Sequence, residues 1–190
     1  MNVRGLFLLA TVVFTGASIL FGQYLAKNSG DENRDETKWK ITLVSEDEPG
    51  EPMIISGTVY GFDGETPLEG IEVHVYHTNA KGYYSRGGKN ENQHRINGTM
   101  ITNAKGKYEY RTIKPASYPN SRVPSHVHYV VSGPGYKAQR FRLEFKGDPH
   151  ISESEYLREA KKGKFADIRP LEKDENGVLR CEFNLKLQKK

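Results

Sequence analysis

Apolar and polar residues alternate along most of the chain after Met53, and short turn sequences interrupt the alternation at regular intervals. In the segment 71–78, for example, Ile71, Val73 and Val75 share one face and polar or aromatic side chains share the other. A period of two residues is typical of a half-buried strand. Comparable segments, separated by Gly, Pro, Asn and Asp, lie at 53–62, 99–102, 107–113, 125–133, 141–145 and 178–187. This pattern predicts an all-β fold, an antiparallel β-sandwich.

A single segment of this region has helical character instead. Ser152 is a candidate N-cap, Glu155 stands at the capping-box position three residues later, and Gly163 is a suitable terminator. We therefore expect one short helix over 152–163, close to the C-terminus.

The cysteine content restricts the chemistry of the C-terminal strand. Cys181 is the only cysteine, which excludes an internal disulfide framework. In the alternating segment 178–187 it shares a face with leucine and phenylalanine side chains, so a small buried hydrophobic residue is the simplest interpretation. A reactive thiol is the alternative.

The N-terminal part of the chain differs from the rest. An apolar run over 6–22 carries no charge and follows a short basic start. This arrangement predicts a signal peptide or a membrane anchor over 1–26, and hence an exported protein. The polar, acid-rich stretch 27–52 is interpreted as a linker with one short edge strand, and 53–190 as the folded domain.

Charge and motif content exclude other partners. The formal net charge of +4 is dispersed, without an arginine-rich block, so nucleic acid is not an expected partner. The sequence contains no GxGxxG motif, so we expect neither a nicotinamide nor a flavin cofactor.

Candidate metal ligands are concentrated in the segment 118–128. His126 and His128 lie two residues apart and would project from one face of a strand, where two imidazoles can bind one metal ion. Tyr118 lies just upstream, and Tyr83 and Tyr84 lie in a glycine-rich turn. Imidazole together with phenolate favours Fe(III). The alternative is a pair of solvated histidines among tyrosines that are all structural.

The order of the motifs resembles that of the intradiol ring-cleavage dioxygenases, the family of catechol 1,2-dioxygenase and protocatechuate 3,4-dioxygenase. The resemblance covers about residues 54–148. Its motifs are GTVYGFDGETPLEGIEVHVYHTNAKGYY, ITNAKGKYEYRTIKPASYP, PSHVHYVVSGPGY and FKGD.

The resemblance implies one non-haem Fe(III) per chain, with Tyr84, Tyr118, His126 and His128 as its ligands. It also implies that a catechol-type diol and O₂ are the substrates and that the ring is cleaved to a muconate-type diacid. In this family the second tyrosinate, here Tyr118, is displaced and serves as a base.

Two arginines mark where the sequence departs from the family. Family members carry an Arg directly before the Pro of PxHxH, but this position is Val123, with Arg122 one residue earlier. A gapless count from His128 places Arg142 where the family has an active-site Gln. We therefore expect Arg142 to supply the positive charge that Val123 does not. Arg122 is a second candidate catalytic residue, and a plain surface position for Arg142 is the alternative.

The region around the expected pocket also differs from the family. The loop after Tyr84 is short and polar, which suggests an open pocket with Gln93, His94 and Arg95 at its rim. The helical N-terminal dimerisation region of catechol 1,2-dioxygenases is not recognisable, which leaves the oligomeric state open.

Two further functions are compatible with part of the pattern. GTVYGFDGETPLEGIEVHVY alone fits the non-catalytic transthyretin-like modules of exported proteins, which do not need two tyrosines and two histidines to match. An iron-binding homologue with altered activity is the other alternative, because of the arginine departures.

Overall fold

Strands account for most of the secondary structure in the computed structural model, which describes residues 38–85 and 94–190. The predicted strand segments are all found, and short additional strands join them at the sheet edges. The bounds are β1 Lys40–Thr42, β2 Pro52–Tyr60, β3 Glu72–His77, β4 Ile96–Ile101, β5 Lys107–Ile113, β6 His126–Gly133, β7 Tyr136–Phe145, β8 Ile168–Arg169, β9 Glu172–Lys173, β10 Leu179–Glu182 and β11 Leu185–Lys186.

Within the described residues these strands form two sheets. The first has six strands in the order β1-β5-β2-β10-β9, with β11 also paired to β2, and the second has five in the order β4-β3-β6-β7-β8. Buried side chains of both sheets, such as Met53 and Ile55 from the first and Val73 and Val127 from the second, form one hydrophobic cluster. Because the two sheets share a single core, the predicted β-sandwich is confirmed.

The sheets contain both antiparallel and parallel strand pairs. β2–β5, β3–β4, β3–β6 and β6–β7 are antiparallel. β1 on β5, β10 and β11 on β2, and β8 on β7 are parallel.

The predicted alternation of buried and exposed residues over 178–187 is confirmed, since every second residue from Leu179 to Leu187 is buried. The segment nevertheless splits into β10 and β11, because Asn184 between them turns its Oδ1 to the backbone N–H of Thr58 at 2.9 Å.

Tyrosines fill a large part of the core. Tyr108, Tyr110 and Tyr129 are fully buried. The hydroxyls of Tyr110 and Tyr129 lie 2.6 Å apart, and the Tyr108 hydroxyl donates to the Phe183 carbonyl. Burial raises the pKa of all three phenols well above the ordinary value. These side chains are neutral packing residues with satisfied hydroxyls, which separates them from the tyrosines of the candidate site.

The segment 38–52 contributes a strand to the sandwich. β1 pairs with β5 from Lys40 opposite Glu109 to Thr42 opposite Arg111. Ile41 and Leu43 pack against the core, and a Cβ at Gly98 would come within 2.5 Å of Leu43. The short edge strand expected within 27–52 is therefore present, and it packs as part of the folded body. The predicted signal or anchor over 1–26 and the rest of the linker to residue 37 lie outside the described residues.

The single predicted helix is present as α1, Glu153–Ala160. The backbone N–H of Glu155 donates to the Ser152 hydroxyl at 3.2 Å, which confirms Ser152 as the N-cap. The helix ends three residues before Gly163, whose positive φ of 62° instead starts a short 3₁₀ turn, Gly163–Phe165. Helix α1 is short and polar, and no helix among the described ranges has the length and apolarity that crossing a membrane requires.

The lone cysteine behaves as its position predicts. Cys181 is 6% exposed and belongs to the core cluster. Burial raises the pKa of its thiol to about 12, so that it remains protonated at neutral pH.

Candidate metal centre

The candidate site begins on the outer face of the five-stranded sheet. Strand β6 buries Val127 and Tyr129 in the core, so His126 and His128 point the opposite way. The strand register places Tyr76 of β3 beside His128 on one side and Arg142 of β7 beside it on the other. Alternation along β6 thus delivers two imidazoles to one face, as the sequence predicts.

Tyr84 reaches this face through a tight turn after β3. The side-chain oxygen of Asn79 accepts hydrogen bonds from the backbone N–H groups of Lys81 and Tyr83, at 2.9 and 3.1 Å. Gly82 has a φ of 83°, in the left-handed region. Asn79 and Gly82 are therefore the residues that allow the NAKG turn to close and to place Tyr84 at the end of the sheet.

Tyr118 lies on a loop that is fixed at both of its ends. The Ser125 hydroxyl donates to the Pro115 carbonyl at 2.7 Å, which closes the loop over residues 115–125. The Thr78 hydroxyl donates to the Ala116 carbonyl at 2.7 Å and ties the same loop to the end of β3. The loop that carries Tyr118 is consequently held against both the turn that carries Tyr84 and the start of β6.

The four predicted ligand side chains converge. The hydroxyls of Tyr84 and Tyr118 are 2.6 Å apart, and the Tyr118 hydroxyl is 3.0 Å from Nε2 of His126. Nε2 of His126 is in turn 2.9 Å from Nε2 of His128. Two donors that bind one ion at about 2.1 Å are themselves about 3 Å apart. The donor atoms are thus spaced as ligands that share one metal.

The orientation of His126 fits a metal ligand. Its Nδ1 lies 2.6 Å from the Pro124 carbonyl, which only accepts, so Nδ1 carries the proton. The lone pair of the neutral ring is therefore on Nε2, the atom that faces the other donors. A backbone carbonyl on the distal nitrogen is a usual partner of metal-binding histidines.

The composition of the donor set also fits a particular kind of metal. In the described part of the chain, no group of three or more His, Cys, Asp or Glu side chains could hold an ion. A metal at this place must therefore use phenolic oxygens, and two phenolates with two imidazoles suit a hard, highly charged cation.

Electrostatics at the site favour the neutral forms of Tyr84, His126 and His128 when no cation is bound. Burial lowers the pKa of His126 and, together with the charge of a protonated His126, lowers the pKa of His128 to about 4. Burial and the hydrogen bond with Tyr118 raise the pKa of Tyr84. Neutral imidazoles are ready to bind a metal, whereas the Tyr84 phenol, with its raised pKa, needs the charge of the metal to ionise.

An aromatic stack supports His128 from the side. The Tyr76 ring is stacked on His128 with centroids 4.7 Å apart, and on its other side His94 is stacked at 4.0 Å with an interplanar angle of 4°. The His94 ring also lies 4.7 Å from that of Tyr84. His94, predicted at the pocket rim, therefore contacts both the candidate ligand Tyr84 and Tyr76, the ring that supports the candidate ligand His128.

The other rim candidates have different placements. Arg95 forms an ion pair with Glu48, with an N–O distance of 2.8 Å, and its backbone N–H donates to the Tyr84 carbonyl at 3.0 Å. Arg95 thus anchors the Tyr84 segment. Gln93 lies outside the described residues.

The two candidate catalytic arginines differ in their relation to the site. Arg142 lies opposite His128 in the β6–β7 register, and its guanidinium is 2.8 Å from the carboxylate of Glu144. Its side chain is 52% exposed, whereas that of Glu144 is 8% exposed. Arg122 is an exposed residue of the loop before β6.

Supporting residues were missed by the sequence reasoning. The carboxylate of Asp148 accepts the backbone N–H of Ser125 at 2.9 Å and fixes the start of β6 beside His126. Glu144 lies opposite His126 in the register and holds Arg142. The FKGD motif, which ends at Asp148, was the available signal for the role of Asp148. Nothing local in the sequence indicates the role of Glu144.

This fold and donor set define a β-sandwich protein with two tyrosines and two histidines converging at one candidate metal centre. Residues 24–189 match the model of a family described as dioxygenase. The chain belongs to the intradiol ring-cleavage dioxygenase family.

Individual relatives are consistent with this assignment. Catechol 1,2-dioxygenase 2 of Acinetobacter lwoffii is 30% identical over 120 residues, which cover 55% of this chain and 43% of that protein. The protocatechuate 3,4-dioxygenase beta chain of Burkholderia cepacia is 30% identical over 144 residues, 68% of this chain and 58% of its own length. The solved structure of a mercury-inhibited catechol 1,2-dioxygenase from Acinetobacter sp. ADP1 shares the fold with a TM-score of 0.64 at 21% identity, over 89% of this chain and 70% of that one.

The match to the curated relatives is partial in length. This chain spans only about two fifths of the Acinetobacter catechol 1,2-dioxygenases that it matches.

Proposed function

We propose that this protein is a ferric intradiol dioxygenase that inserts both atoms of O₂ into a catechol-type diol and opens the ring between the two hydroxyl-bearing carbons. The convergence of Tyr84, Tyr118, His126 and His128 is the observation that supports this proposal. A non-catalytic sandwich module has no need for four donors of which each lies within hydrogen-bond distance of the next.

The same four residues would hold the iron. Bound Fe(III) supplies Lewis-acid activation of the chelated diol. The donors come from three separately anchored segments, namely the turn at Tyr84, the loop at Tyr118 and strand β6. Because each segment is fixed by its own hydrogen bonds, the chain can maintain the donor positions while one donor is exchanged for substrate.

Tyr118 is the residue that would exchange and accept a substrate proton. Its hydroxyl contacts both Tyr84 and Nε2 of His126, so it is at the centre of the donor chain. It lies on a loop rather than on a strand, which allows its ring to move without disturbing the sheet. As a phenolate released from the cation, Oη of Tyr118 would take one phenolic proton of the incoming diol and become a neutral phenol.

Arg142 is proposed to place positive charge beside the substrate. Its Cα lies opposite that of His128, and its charge is among the causes that lower the pKa of His128. The carboxylate of Glu144 offsets part of this charge and fixes the guanidinium. Arg142 thus occupies the better position of the two candidate arginines for stabilising negative charge that develops on the ring.

A visible spectrum of the iron-loaded protein, followed by product analysis with catechol, tests the proposed function. Tyrosinate bound to Fe(III) gives a charge-transfer band and a red colour, and intradiol cleavage gives a cis,cis-muconate-type product. A colourless iron-replete protein, or a product cleaved outside the two hydroxyl carbons, would refute the proposal.

We also propose that the protein is exported, because of the apolar run over 6–22 and its basic start. N-terminal sequencing of the protein recovered from fractionated cells distinguishes cleavage from retention as an anchor. Recovery from the cytoplasm with Met1 or Asn2 at the N-terminus contradicts export by a cleaved signal, and absence from the membrane fraction as well contradicts an anchor.

A further inference from the structure

The two histidines of the candidate metal centre are held in different ways. Nδ1 of His126 lies 2.6 Å from the Pro124 carbonyl, and this hydrogen bond fixes the plane of the ring. Within the described residues, no hydrogen bond ends on Nδ1 of His128, and its Nε2 contacts only Nε2 of His126, another candidate donor. A metal-binding imidazole usually has a partner on its distal nitrogen. The orientation of His128 depends on contacts of its ring instead.

An aromatic stack supplies these contacts. The Tyr76 ring lies on His128 with centroids 4.7 Å apart and an interplanar angle of 17°. The other face of Tyr76 is covered by His94, with centroids 4.0 Å apart and rings almost parallel at 4°. Parallel rings in contact resist tilting, because a tilt opens the contact and loses its dispersion energy. Tyr76 therefore lies between two imidazoles, and the outer one, His94, is not a candidate ligand.

The backbone on both sides of the His94 ring is held by hydrogen bonds. The side-chain amide of Asn97 donates to the His94 carbonyl at 2.5 Å. The next residue, Arg95, donates its backbone N–H to the Tyr84 carbonyl at 3.0 Å and pairs with Glu48. Among the hydrogen bonds of residues 38–85 and 94–190, none uses a nitrogen of the His94 ring. The contribution of this ring thus comes from its faces and edges.

His94 also reaches a second candidate ligand. Its ring centroid is 4.7 Å from that of Tyr84, with an interplanar angle of 52°. In the described part of the chain the Tyr84 hydroxyl bonds only to Tyr118, the donor that we propose to be exchanged. Of the three ligands proposed to stay bound, only His126 has a hydrogen bond outside the donor set. The other two, Tyr84 and His128, are contacted by His94 directly and through Tyr76.

We propose that His94 is a positioning residue of the metal centre, which keeps His128, through the stacked Tyr76 ring, and Tyr84, by direct contact, directed at a common ion. This inference rests on the proposed function and gives a role to a residue outside the donor set. The stack replaces the hydrogen bond that His126 has and His128 lacks. Loss of a residue that orients a ligand typically weakens metal binding by about 10- to 100-fold.

Three variants of the full-length protein test this role. His94→Ala removes the outer ring of the stack, whereas His94→Phe keeps a flat ring without the nitrogens. His74→Ala is the matched control, because the His74 ring also lies beside Tyr76, with centroids 6.0 Å apart, but is tilted by 38° and not stacked. Each iron-loaded protein is mixed with an excess of a strong chelator. The decay of the charge-transfer band then gives the rate of iron dissociation.

We expect iron to dissociate about tenfold faster from His94→Ala than from wild type, with a shifted charge-transfer band. His94→Phe and His74→Ala should stay within about twofold of wild type, because both keep the stack. An unchanged rate in His94→Ala, or an equal acceleration in either of the other variants, would overturn the inference. A raised KM for catechol in His94→Ala with an unchanged dissociation rate would also overturn it, since this result assigns His94 to substrate binding.

The activity and the role of His94 can fail separately. If the protein holds Fe(III) with its charge-transfer band but cleaves no diol, the activity is wrong and the dissociation rates still test His94. If no Fe(III) binds, the NMR spectrum of the iron-free protein decides. The ring current of Tyr76 shifts the ring C–H signals of His128, which are assigned with His128→Asn. These signals should move towards those of an exposed histidine in His94→Ala and stay in place in His94→Phe. Unchanged His128 signals in His94→Ala would contradict a positioning role.

Discussion

Gly82 packs directly against the backbone of Ser117, so that a Cβ at Gly82 would lie 2.1 Å from the Ser117 carbonyl oxygen. This contact joins the turn that carries Tyr84 to the loop that carries Tyr118. The close approach of the two backbones therefore sets the distance between the two phenolic donors. A side chain at this glycine must separate them.

Gly82→Ala should accordingly lose the metal centre. The substitution combines a positive φ, which costs about 1–2 kcal/mol for a residue with a Cβ, with a backbone clash that only movement can relieve. We expect iron content and the charge-transfer band to fall at least tenfold. Gly177→Ala is the matched control, because Gly177 has a φ of 76° and open space around its Cβ position. Equal iron content in the two variants would show that the contact between Gly82 and Ser117 does not determine the geometry of the metal site.

Tyr118→Phe should distinguish a displaced base from a passive ligand. Loss of the hydroxyl removes one phenolate and the proton acceptor, so we expect a shifted and weaker charge-transfer band and catechol binding at least tenfold slower. Tyr83→Phe is the control, since Tyr83 is a neighbouring tyrosine that is 41% exposed. Stopped-flow absorbance at the charge-transfer band measures both the intensity of the band and the rate of catechol binding. Unchanged binding in Tyr118→Phe would refute its role as base.

Arg142→Met and Arg122→Met separate the two candidate catalytic arginines. Removal of the charge beside His128 should lower kcat/KM for catechol by about 10²-fold, the usual size of a lost electrostatic donor. Removal of the exposed loop arginine should change it less than twofold. Iron content measured in both variants ensures that the metal is retained. A larger effect at Arg122 would reverse the assignment.

Buried His77 should make stability fall in mild acid. Nδ1 of His77 is 2.7 Å from the Thr78 carbonyl, Nε2 is 2.7 Å from the Thr112 hydroxyl, and burial lowers the pKa of the ring from 6.5 to about 4. Between pH 4 and pH 6.5 the unfolded chain therefore binds more protons at His77 than the folded chain does. The free energy of unfolding should be constant with respect to this group above pH 6.5 and fall by up to about 3 kcal/mol as the pH approaches 4.

Denaturation of iron-free protein at several pH values measures this dependence. Burial lowers the pKa of His94, His126 and His128 as well, and these rings act in the same direction. The comparison with His77→Gln isolates the contribution of His77. In this variant the free energy of unfolding should fall less steeply below pH 6.5 than in wild type, because the proton uptake of His77 is missing. A slope equal to that of wild type would contradict the prediction.

The local sequence pattern was sufficient to predict the strands, the helix cap at Ser152 and the buried position of Cys181. Strand alternation and helix capping depend on residues that are close to each other in the sequence. The local pattern was not sufficient for the parallel pairing of β1 with β5, since no local signal encodes which distant strand an edge strand joins. The break between β10 and β11 depends likewise on a contact of Asn184 with a residue 126 positions away.

For the site, the sequence by itself determined the donor types and the shared face of His126 and His128, because strand alternation follows from spacing alone. The proximity of Tyr84 and Tyr118 to those histidines was decided only by the tertiary structure, through Gly82, Ser125 and Asp148. The different surroundings of Arg122 and Arg142 were decided in the same way, because the register that sets Arg142 beside His128 depends on the pairing of β7 with β6, which neither segment contains by itself.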